Sequence, residues 1–114
     1  MANTFKVISK AGVTSLDVIY TVASGTSTVV LGLLLGNTTS SQTTATVTLN
    51  TDTSNRSGAN NEANQPVELI TNAAIPAGST LSVLDGKLVM EPTDELKVSG
   101  SAATDVIISV METT

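Results

Sequence analysis

The sequence predicts an all-β protein: a single-domain antiparallel β-sandwich, or a barrel-like fold, of about eight or nine short strands. Three observations support this class. Thr, Val and Ile are abundant and, being β-branched, prefer strands to helices. No segment keeps an apolar period of 3.6 residues over three helical turns, whereas short alternating runs recur. Turn residues separate these runs at short intervals, which is typical of sandwiches and barrels rather than of parallel sheets with crossover helices.

The first half of the chain opens with two predicted strands. Residues 4–9 form a short strand at the N-terminus. Residues 16–22 form the next one, in which every second residue is apolar or aromatic. Because side chains alternate across a strand, we expect one face of residues 16–22 to carry Leu16, Val18, Tyr20 and Val22.

Two further strands follow before the middle of the chain. Residues 28–35 are a continuous apolar run, which favours a strand buried on both faces. Gly32 lies inside this run and predicts a β-bulge or a close approach of another backbone. Residues 44–49 alternate cleanly, so the core face of this strand is predicted to carry Ala45, Val47 and Leu49.

The segment 50–65 interrupts this pattern. It contains no large apolar residue, and it is predicted to be a long polar exposed loop within the one domain that spans residues 1–114. Two interpretations remain open for it. It is either a surface excursion without a partner or an arm that contacts a neighbouring subunit.

The second half has clearer turn signals. Pro76 and Gly78 mark a turn after the strand predicted at residues 67–71. Asp85-Gly86 is typical of a two-residue hairpin turn, here between strands at 80–84 and 87–91. The last strands are predicted at residues 95–99 and 105–112, the latter with Val106, Ile108 and Val110 on one face.

The residue types argue against an enzyme. The chain has no His, Cys or Trp, one Tyr and one Phe, so the usual groups for acid–base, thiol or metal chemistry near neutral pH are missing. We interpret Asp85 and Asp94 as turn formers rather than as catalytic carboxylates. The oxygen-bearing residues of segment 50–65 do not follow the calcium-loop spacing, and no cofactor or metal site is predicted.

Charge and hydrophobicity limit the partners. The net charge is −5, and five basic residues are scattered along the chain, which does not produce the basic stripe that nucleic acid requires. The apolar run at residues 29–35 is far shorter than the roughly 20 residues of a membrane-spanning helix. The N-terminal ten residues lack the apolar stretch of a signal peptide. We expect a soluble protein that binds neither nucleic acid nor membrane and begins at its own Met.

Apolar residues also occupy the second face of several predicted strands. Each of them points away from a neighbour assigned to the core, and an apolar outer face either packs under a loop or meets another chain. We favour subunit contact, because a core without large aromatic residues gains stability from an interface. The candidate interface residues are Ile19, Val30, Leu34, Val89, Ile107 and Met111.

The order of the segments resembles a protein family. "MANTFKVISK", "VIYTVASGTSTVVLGLLLGNTT", a Thr-rich strand and "IPAGSTLSVLDGKLVMEPTDELKVSGSAATDVIISVMETT" follow one another. Together they resemble small virion structural proteins of tailed bacteriophages, particularly those of marine and cyanobacterial phages. The resemblance covers most of the chain outside 50–65. Its most specific part is the block from Ile75 to Lys87.

The resemblance implies a non-enzymatic β-sandwich present in many copies on the virion. We expect a capsid decoration or cement protein on the capsid exterior, made in the host cytoplasm. Its partners would be itself, as a homo-oligomer with a trimer as one option, and the major capsid protein or other virion proteins. The alternative is a tail, neck or fibre component. A host-glycan-binding module is a weaker alternative, because only Phe5 and Tyr20 could provide the aromatic platform such a module needs.

Overall fold

The computed structural model describes residues 2–51 and 65–114, and this part of the chain is a β-sandwich of two antiparallel sheets without helices. It contains nine strands, in agreement with the eight or nine predicted. They are β1 Asn3–Val13, β2 Asp17–Thr21, β3 Ser27–Asn37, β4 Thr43–Thr51, β5 Gln65–Ile75, β6 Thr80–Ser82, β7 Leu88–Met90, β8 Glu95–Gly100 and β9 Thr104–Thr113.

The chain crosses repeatedly between the two sheets. The five-stranded sheet has the order β1-β9-β3-β6, and β7 pairs with β3 beyond the end of β6. The four-stranded sheet has the order β2-β8-β4-β5. Since strands distant in sequence are neighbours in both sheets, most of the pairing is non-local. The two chain termini meet in the β1–β9 pair, where Asn3 lies opposite Thr113.

The core between the sheets is almost wholly aliphatic. The predicted alternation of β4 and β9 is confirmed: Ala45, Val47 and Leu49 point inward from one sheet. Val106, Ile108 and Val110 point inward from the other. They pack with a group of equally buried side chains that includes Val22, Leu33, Leu35, Ile75, Met90, Leu96 and Val98.

β3 differs from its prediction in having only one buried face. The register with β9 shifts between Val30 and Gly32, so the bulge predicted from Gly32 is present there. Because one extra residue reverses the alternation, Val30 points inward before the bulge and Leu33 after it. Leu31 and Leu34 are about two-fifths exposed. The prediction of a strand buried on both faces is therefore wrong.

β2 contains a second irregularity, with consequences for its predicted face. Its pairing with β8 shifts between Val18 and Tyr20, so the alternation is not continuous along the strand. Tyr20 and the following Val22 are buried as predicted, but Leu16 and Val18 are exposed. The prediction that all four share one face is wrong for the two residues before the bulge.

The hairpin predicted at Asp85-Gly86 is also wrong. β6 pairs with Leu34–Gly36 of β3, and β7 pairs with Thr28–Val30 of the same strand. The two short strands therefore lie one after the other along a single neighbour, and they do not pair with each other. The Asp-Gly dipeptide interrupts an edge strand, with Gly86 at a φ of 130° that suits glycine.

The strands around the predicted loop 50–65 are longer than expected. Asn50 and Thr51 pair with Pro66 and Gln65, and this extends β4 and β5 into the predicted loop. The rest of that loop, residues 52–64, lies outside the described residues.

Candidate assembly surface

The outer face of the five-stranded sheet carries a row of apolar side chains. Phe5 of β1 lies opposite Met111 of β9, which lies opposite Val29 of β3, which lies opposite Val89 of β7. Residues directly opposite each other in a sheet point to the same side. Four strands therefore contribute one continuous transverse row, and Phe5 and Val89 at its ends are 72% and 65% exposed.

Further apolar side chains widen this row into a surface. Ile107 lies opposite Leu34, and both are exposed to more than two-fifths. Val7, between Phe5 and the Ile107 level, is 69% exposed, and Leu31 projects from the β3 bulge. We call this surface the apolar sheet face; it comprises Phe5, Val7, Val29, Leu31, Leu34, Val89, Ile107 and Met111.

The apolar sheet face is almost free of charge. Among the strand residues of the five-stranded sheet that point to this side, Asp105 carries a charge. It lies at the start of β9, opposite Gly36. Its carboxylate accepts a hydrogen bond from the Gly12 amide at 3.0 Å. Soluble monomers rarely expose a contiguous apolar patch of this kind unless it contacts another molecule. The surface therefore has the composition of a docking face.

Four of the six candidate interface residues lie on this surface. Leu34, Val89 and Ile107 are exposed there, and Met111 is half-buried in the middle of the row. Their role as an interface remains a prediction. Sequence reasoning missed Phe5 and Val7, although their alternation with Thr4, Lys6 and Ile8 was a usable signal for an outward face.

The other two candidates do not lie on the apolar sheet face. Val30 is fully buried, so its predicted outward orientation is wrong. Val30 and Leu34 are four residues apart, so they would point to the same side of a regular strand. The bulge between them leaves Val30 inward and Leu34 outward. Ile19 belongs to the other sheet and is half-buried against the core. The irregularity next to it in β2 explains why simple alternation misplaced it.

A polar network connects side chains of β1, β2, β3 and β9 at one side of the sandwich. The Tyr20 hydroxyl donates to the Glu112 carboxylate at 2.5 Å and lies 2.8 Å from the Thr28 hydroxyl. Lys6 approaches the same carboxylate at 2.8 Å. The network joins the four-stranded sheet, through Tyr20, to three strands of the five-stranded sheet, and it occupies the inward side of the β1 edge.

The network shifts two pKa values in opposite directions. Burial, reinforced by the hydrogen bond to Glu112, raises the pKa of Tyr20 to about 12. The Lys6 ammonium, and next the Tyr20 hydroxyl, lower the pKa of Glu112. Tyr20 is therefore a neutral donor and Glu112 an anionic acceptor over the ordinary pH range. This is the arrangement of a structural contact, in which neither group titrates near neutral pH.

The outer face of the four-stranded sheet is different in kind. Its strands present Thr44, Thr46 and Thr48 of β4, Glu95 and Lys97 of β8, and Glu68 and Val18 of the two edge strands. We call this surface the polar sheet face. At one end it has a hollow of about 190 Å³, lined by Thr14, Thr44, Thr46, Asn72, Ser99, Gly100 and Ser101. These residues offer hydroxyl and amide groups and no acid, base or aromatic ring.

The carboxylates that sequence analysis interpreted as turn formers lie outside this hollow. Asp94 is buried and accepts a hydrogen bond from the Glu91 amide at 3.1 Å, within the turn that leads into β8. Asp85 is exposed in the interruption between β6 and β7. Over residues 2–51 and 65–114, no three acidic, His or Cys side chains lie together as metal ligands would. The same residues contain no helix long and apolar enough to cross a membrane.

Comparisons with known proteins identify no family. No protein family model and no curated protein sequence matches the chain. Among solved structures, the chain is similar to a subunit of the Bacillus endospore appendages, a family of disulfide-linked pili, at 15% identity and a TM-score of 0.49. The match covers 99% of this chain and 87% of that one. This chain has no cysteine, and a likeness this distant carries no functional argument.

Proposed function

We propose that this chain is a non-enzymatic structural protein of a tailed-phage virion, and specifically a capsid decoration protein. The observation that carries the proposal is the apolar sheet face, which is exposed, contiguous and nearly free of charge. The sequence resemblance to small phage virion proteins supplies the phage context. In this role the protein docks on the assembled shell and adds interface area that holds adjacent capsomers together.

The asymmetry of the sandwich supports such a role. A decoration protein needs one surface that loses water on docking and another that stays in water. The apolar sheet face fits the first requirement, since burial of apolar area is the main favourable term in protein association. The polar sheet face fits the second, because the hydroxyl and charged groups that it presents favour contact with water. The net charge of −5 favours solubility of the particle.

A tail, neck or fibre component is the alternative within virion proteins. A ring or tube subunit would use the same apolar sheet face against a different neighbour. The face itself does not distinguish a location on the capsid from one in the tail, neck or fibres. The glycan-binding alternative loses support, because Tyr20 is buried in the polar network and Phe5 remains as the exposed aromatic residue. Sugar rings normally stack on more than one such platform.

The test is co-sedimentation of the purified protein with capsid shells that lack it, with isolated tails as the parallel sample. Saturable binding to shells, at a fixed ratio to the major capsid protein, is the expected result. Binding to tails alone would move the protein to the tail or neck. Binding to neither particle would overturn the proposal.

A pair of matched variants then locates the contact. Ile107→Glu places a charge on the apolar sheet face, and Val18→Glu places one on the polar sheet face, opposite Lys97, at a similar exposure, 45% against 40%. We expect Ile107→Glu to weaken shell binding at least about tenfold, since a carboxylate buried without a partner is strongly unfavourable. Val18→Glu should bind like the parent. Unchanged binding of Ile107→Glu would exclude the apolar sheet face as the contact, and equal losses for both variants would show that the contact is not confined to it.

A further inference from the structure

The two sheets have four edges within the described residues, and these edges differ in regularity. β2 has five residues and an irregular register, and the β6–β7 edge is interrupted by residues 83–87. β5 is irregular at two places and has Asn72 at a positive φ of 48°. β1 is different: its pairing with β9 runs without a shift from Asn3 to Lys10.

The backbone groups of β1 point alternately toward β9 and toward solvent. The Thr114 amide donates to the Ala2 carbonyl at 3.1 Å, which continues the register of the β1–β9 pair. In an antiparallel pair, hydrogen-bonded and non-bonded positions alternate. The even-numbered residues therefore bond to β9. The outward N–H and C=O groups belong to Asn3, Phe5, Val7 and Ser9, and such a row is a template for another strand.

Natural edge strands are often protected by lysines, and β1 contains Lys6 and Lys10. Both side chains are turned back toward their own molecule. Lys6 pairs with Glu112 at 2.8 Å and Lys10 with Asp17 at 2.5 Å. The Lys10 ammonium lowers the pKa of Asp17, chiefly through this hydrogen bond. Each ammonium group is therefore paired with a carboxylate of its own chain, although both lysine side chains remain about half exposed at the edge.

We propose that the free edge of β1 pairs with β1 of a second copy, antiparallel about a two-fold axis at Val7. The bulge between Lys10 and Val13 limits the regular pairing to residues 3–10, and Val7 is the residue with outward backbone groups that lies nearest to its middle. In this register Val7 faces its own counterpart and Phe5 faces Ser9 of the partner subunit. Lys6 faces Ile8 of the partner subunit.

Charge selects this register over its neighbours. Sliding the pair by two residues in one direction places Lys6 opposite its own counterpart, and sliding it in the other places Lys6 opposite Lys10. Like charges directly opposite each other destabilise a sheet. The Val7-centred pairing avoids both contacts. It forms about six backbone hydrogen bonds from the pairs at Phe5, Val7 and Ser9.

The pairing also extends the apolar sheet face. A two-fold axis perpendicular to the sheet keeps the outer faces of both copies on the same side. The two five-stranded sheets become one, and Phe5 and Val7 of each copy lie at its centre, in continuity with the transverse row. A dimer would therefore present twice the docking surface to whatever it binds. The self-pairing is independent of the proposed particle, since it is measured on the protein alone.

Single-cysteine variants test the register directly, because the chain has no cysteine of its own. Across a hydrogen-bonded antiparallel pair the Cα atoms are about 5.5 Å apart, which lies within the disulfide range of about 4.4–6.8 Å. Val7→Cys should cross-link to a dimer under mild oxidation. Phe5→Cys should not, because the two copies of residue 5 lie about 14 Å apart along the strands.

Val89→Cys is the matched control, since Val89 is exposed to nearly the same extent as Val7, 65% against 69%, but lies on the opposite edge. The proposal is overturned if Val7→Cys stays monomeric under the same oxidation. It is equally overturned if Val89→Cys or Phe5→Cys cross-links as readily as Val7→Cys.

Sedimentation equilibrium without cross-linking provides a second readout. The parent chain should show a monomer–dimer equilibrium. Val7→Pro removes an outward N–H that β9 does not use, and proline is tolerated at such edge positions. Its dimerisation should weaken at least about tenfold, and its melting temperature should match that of the parent at concentrations where the parent is monomeric. A parent chain that is monomeric at all concentrations, or a trimer, would overturn the proposal.

Discussion

The two outer faces of this sandwich belong to antiparallel sheets that share one aliphatic core, yet they are opposite in character. The face of the five-stranded sheet carries Phe5, Val89, Ile107 and their apolar neighbours. The face of the four-stranded sheet carries threonines with Glu95 and Lys97. An isolated antiparallel sandwich needs only one apolar face on each sheet. The five-stranded sheet has two, and the second one is not explained by folding.

This difference makes the two sides of the sandwich chemically distinct. Val110 and Met111 are neighbours in β9, and one fills the core while the other joins the outer row. The corresponding neighbours in β8, Leu96 and Lys97, divide between the core and water. The five-stranded sheet therefore presents apolar side chains on both of its faces. The four-stranded sheet presents apolar side chains to the core and polar side chains to solvent.

The largest expected effect comes from comparing the two faces of one strand. Ile108→Ala should destabilise the protein by about 2–5 kcal/mol, because it leaves a cavity in a fully buried site. Ile107→Ala should change the free energy of unfolding by less than about 0.5 kcal/mol, as at other exposed sites. Urea unfolding at low protein concentration measures both.

A large loss for Ile107→Ala would break this comparison. If that loss grows with protein concentration, Ile107 is buried in an assembly and the apolar face contributes to stability through association. If the loss is independent of concentration, the outer face is part of the folded core and the docking interpretation is wrong.

The next effect concerns the polar network that joins the two sheets. Tyr20→Phe removes the hydroxyl that contacts Glu112 and Thr28 while keeping the buried ring. We expect a loss of about 1–3 kcal/mol, because the partners keep their polar groups without the bond. Thermal unfolding of Tyr20→Phe, Glu112→Gln and the double variant gives the coupling energy. Strictly additive losses would show that the network is not a unit.

The same network predicts how stability depends on pH. The pKa of Glu112 is lowered in the folded protein, so its contribution is present above the ordinary value of 4.5 and is lost as the pH falls through the folded pKa. The pKa of Tyr20 is raised from 10.0 to about 12. Its contribution is complete below pH 10 and is lost as the pH rises from 10 towards 12.

Denaturant midpoints measured across both pH ranges check these signs. Tyr20→Phe should flatten the alkaline decline relative to the parent, and Glu112→Gln should flatten the acid decline. An alkaline decline of equal steepness in Tyr20→Phe would show that the Tyr20 hydroxyl is not its cause.

The sequence was sufficient to predict the strands but not their irregularities. Regular alternation placed Val47 and Ile108 correctly, because β4 and β9 follow a strict period across those positions. It failed at Val30 and Val18, each next to a bulge that shifts the period by one residue. A bulge depends on the partner strand, so local sequence rarely fixes its position.

The prediction of the hairpin was wrong, and the prediction of the apolar sheet face was incomplete, for related reasons. Asp85-Gly86 has the local chemistry of a tight turn, but β3 is long enough to pair with the strands on both sides of it. The outer apolar surface was partly predicted from Leu34, Val89 and Ile107. Its full extent required the register that brings Phe5 opposite Met111, and that pair joins the two ends of the chain.

The smallest expected effect lies on the polar sheet face and completes the comparison. Lys97 and Glu95 approach to 3.8 Å, and both side chains are partly exposed. Such pairs contribute about 0–1 kcal/mol in water, so Lys97→Ala should change the free energy of unfolding by less than about 0.5 kcal/mol. It should leave self-association and shell binding unchanged, as measured by sedimentation. A Lys97→Ala variant that binds shells differently from the parent would mean that the polar face also contacts the partner, and docking would then involve both sides of the sandwich.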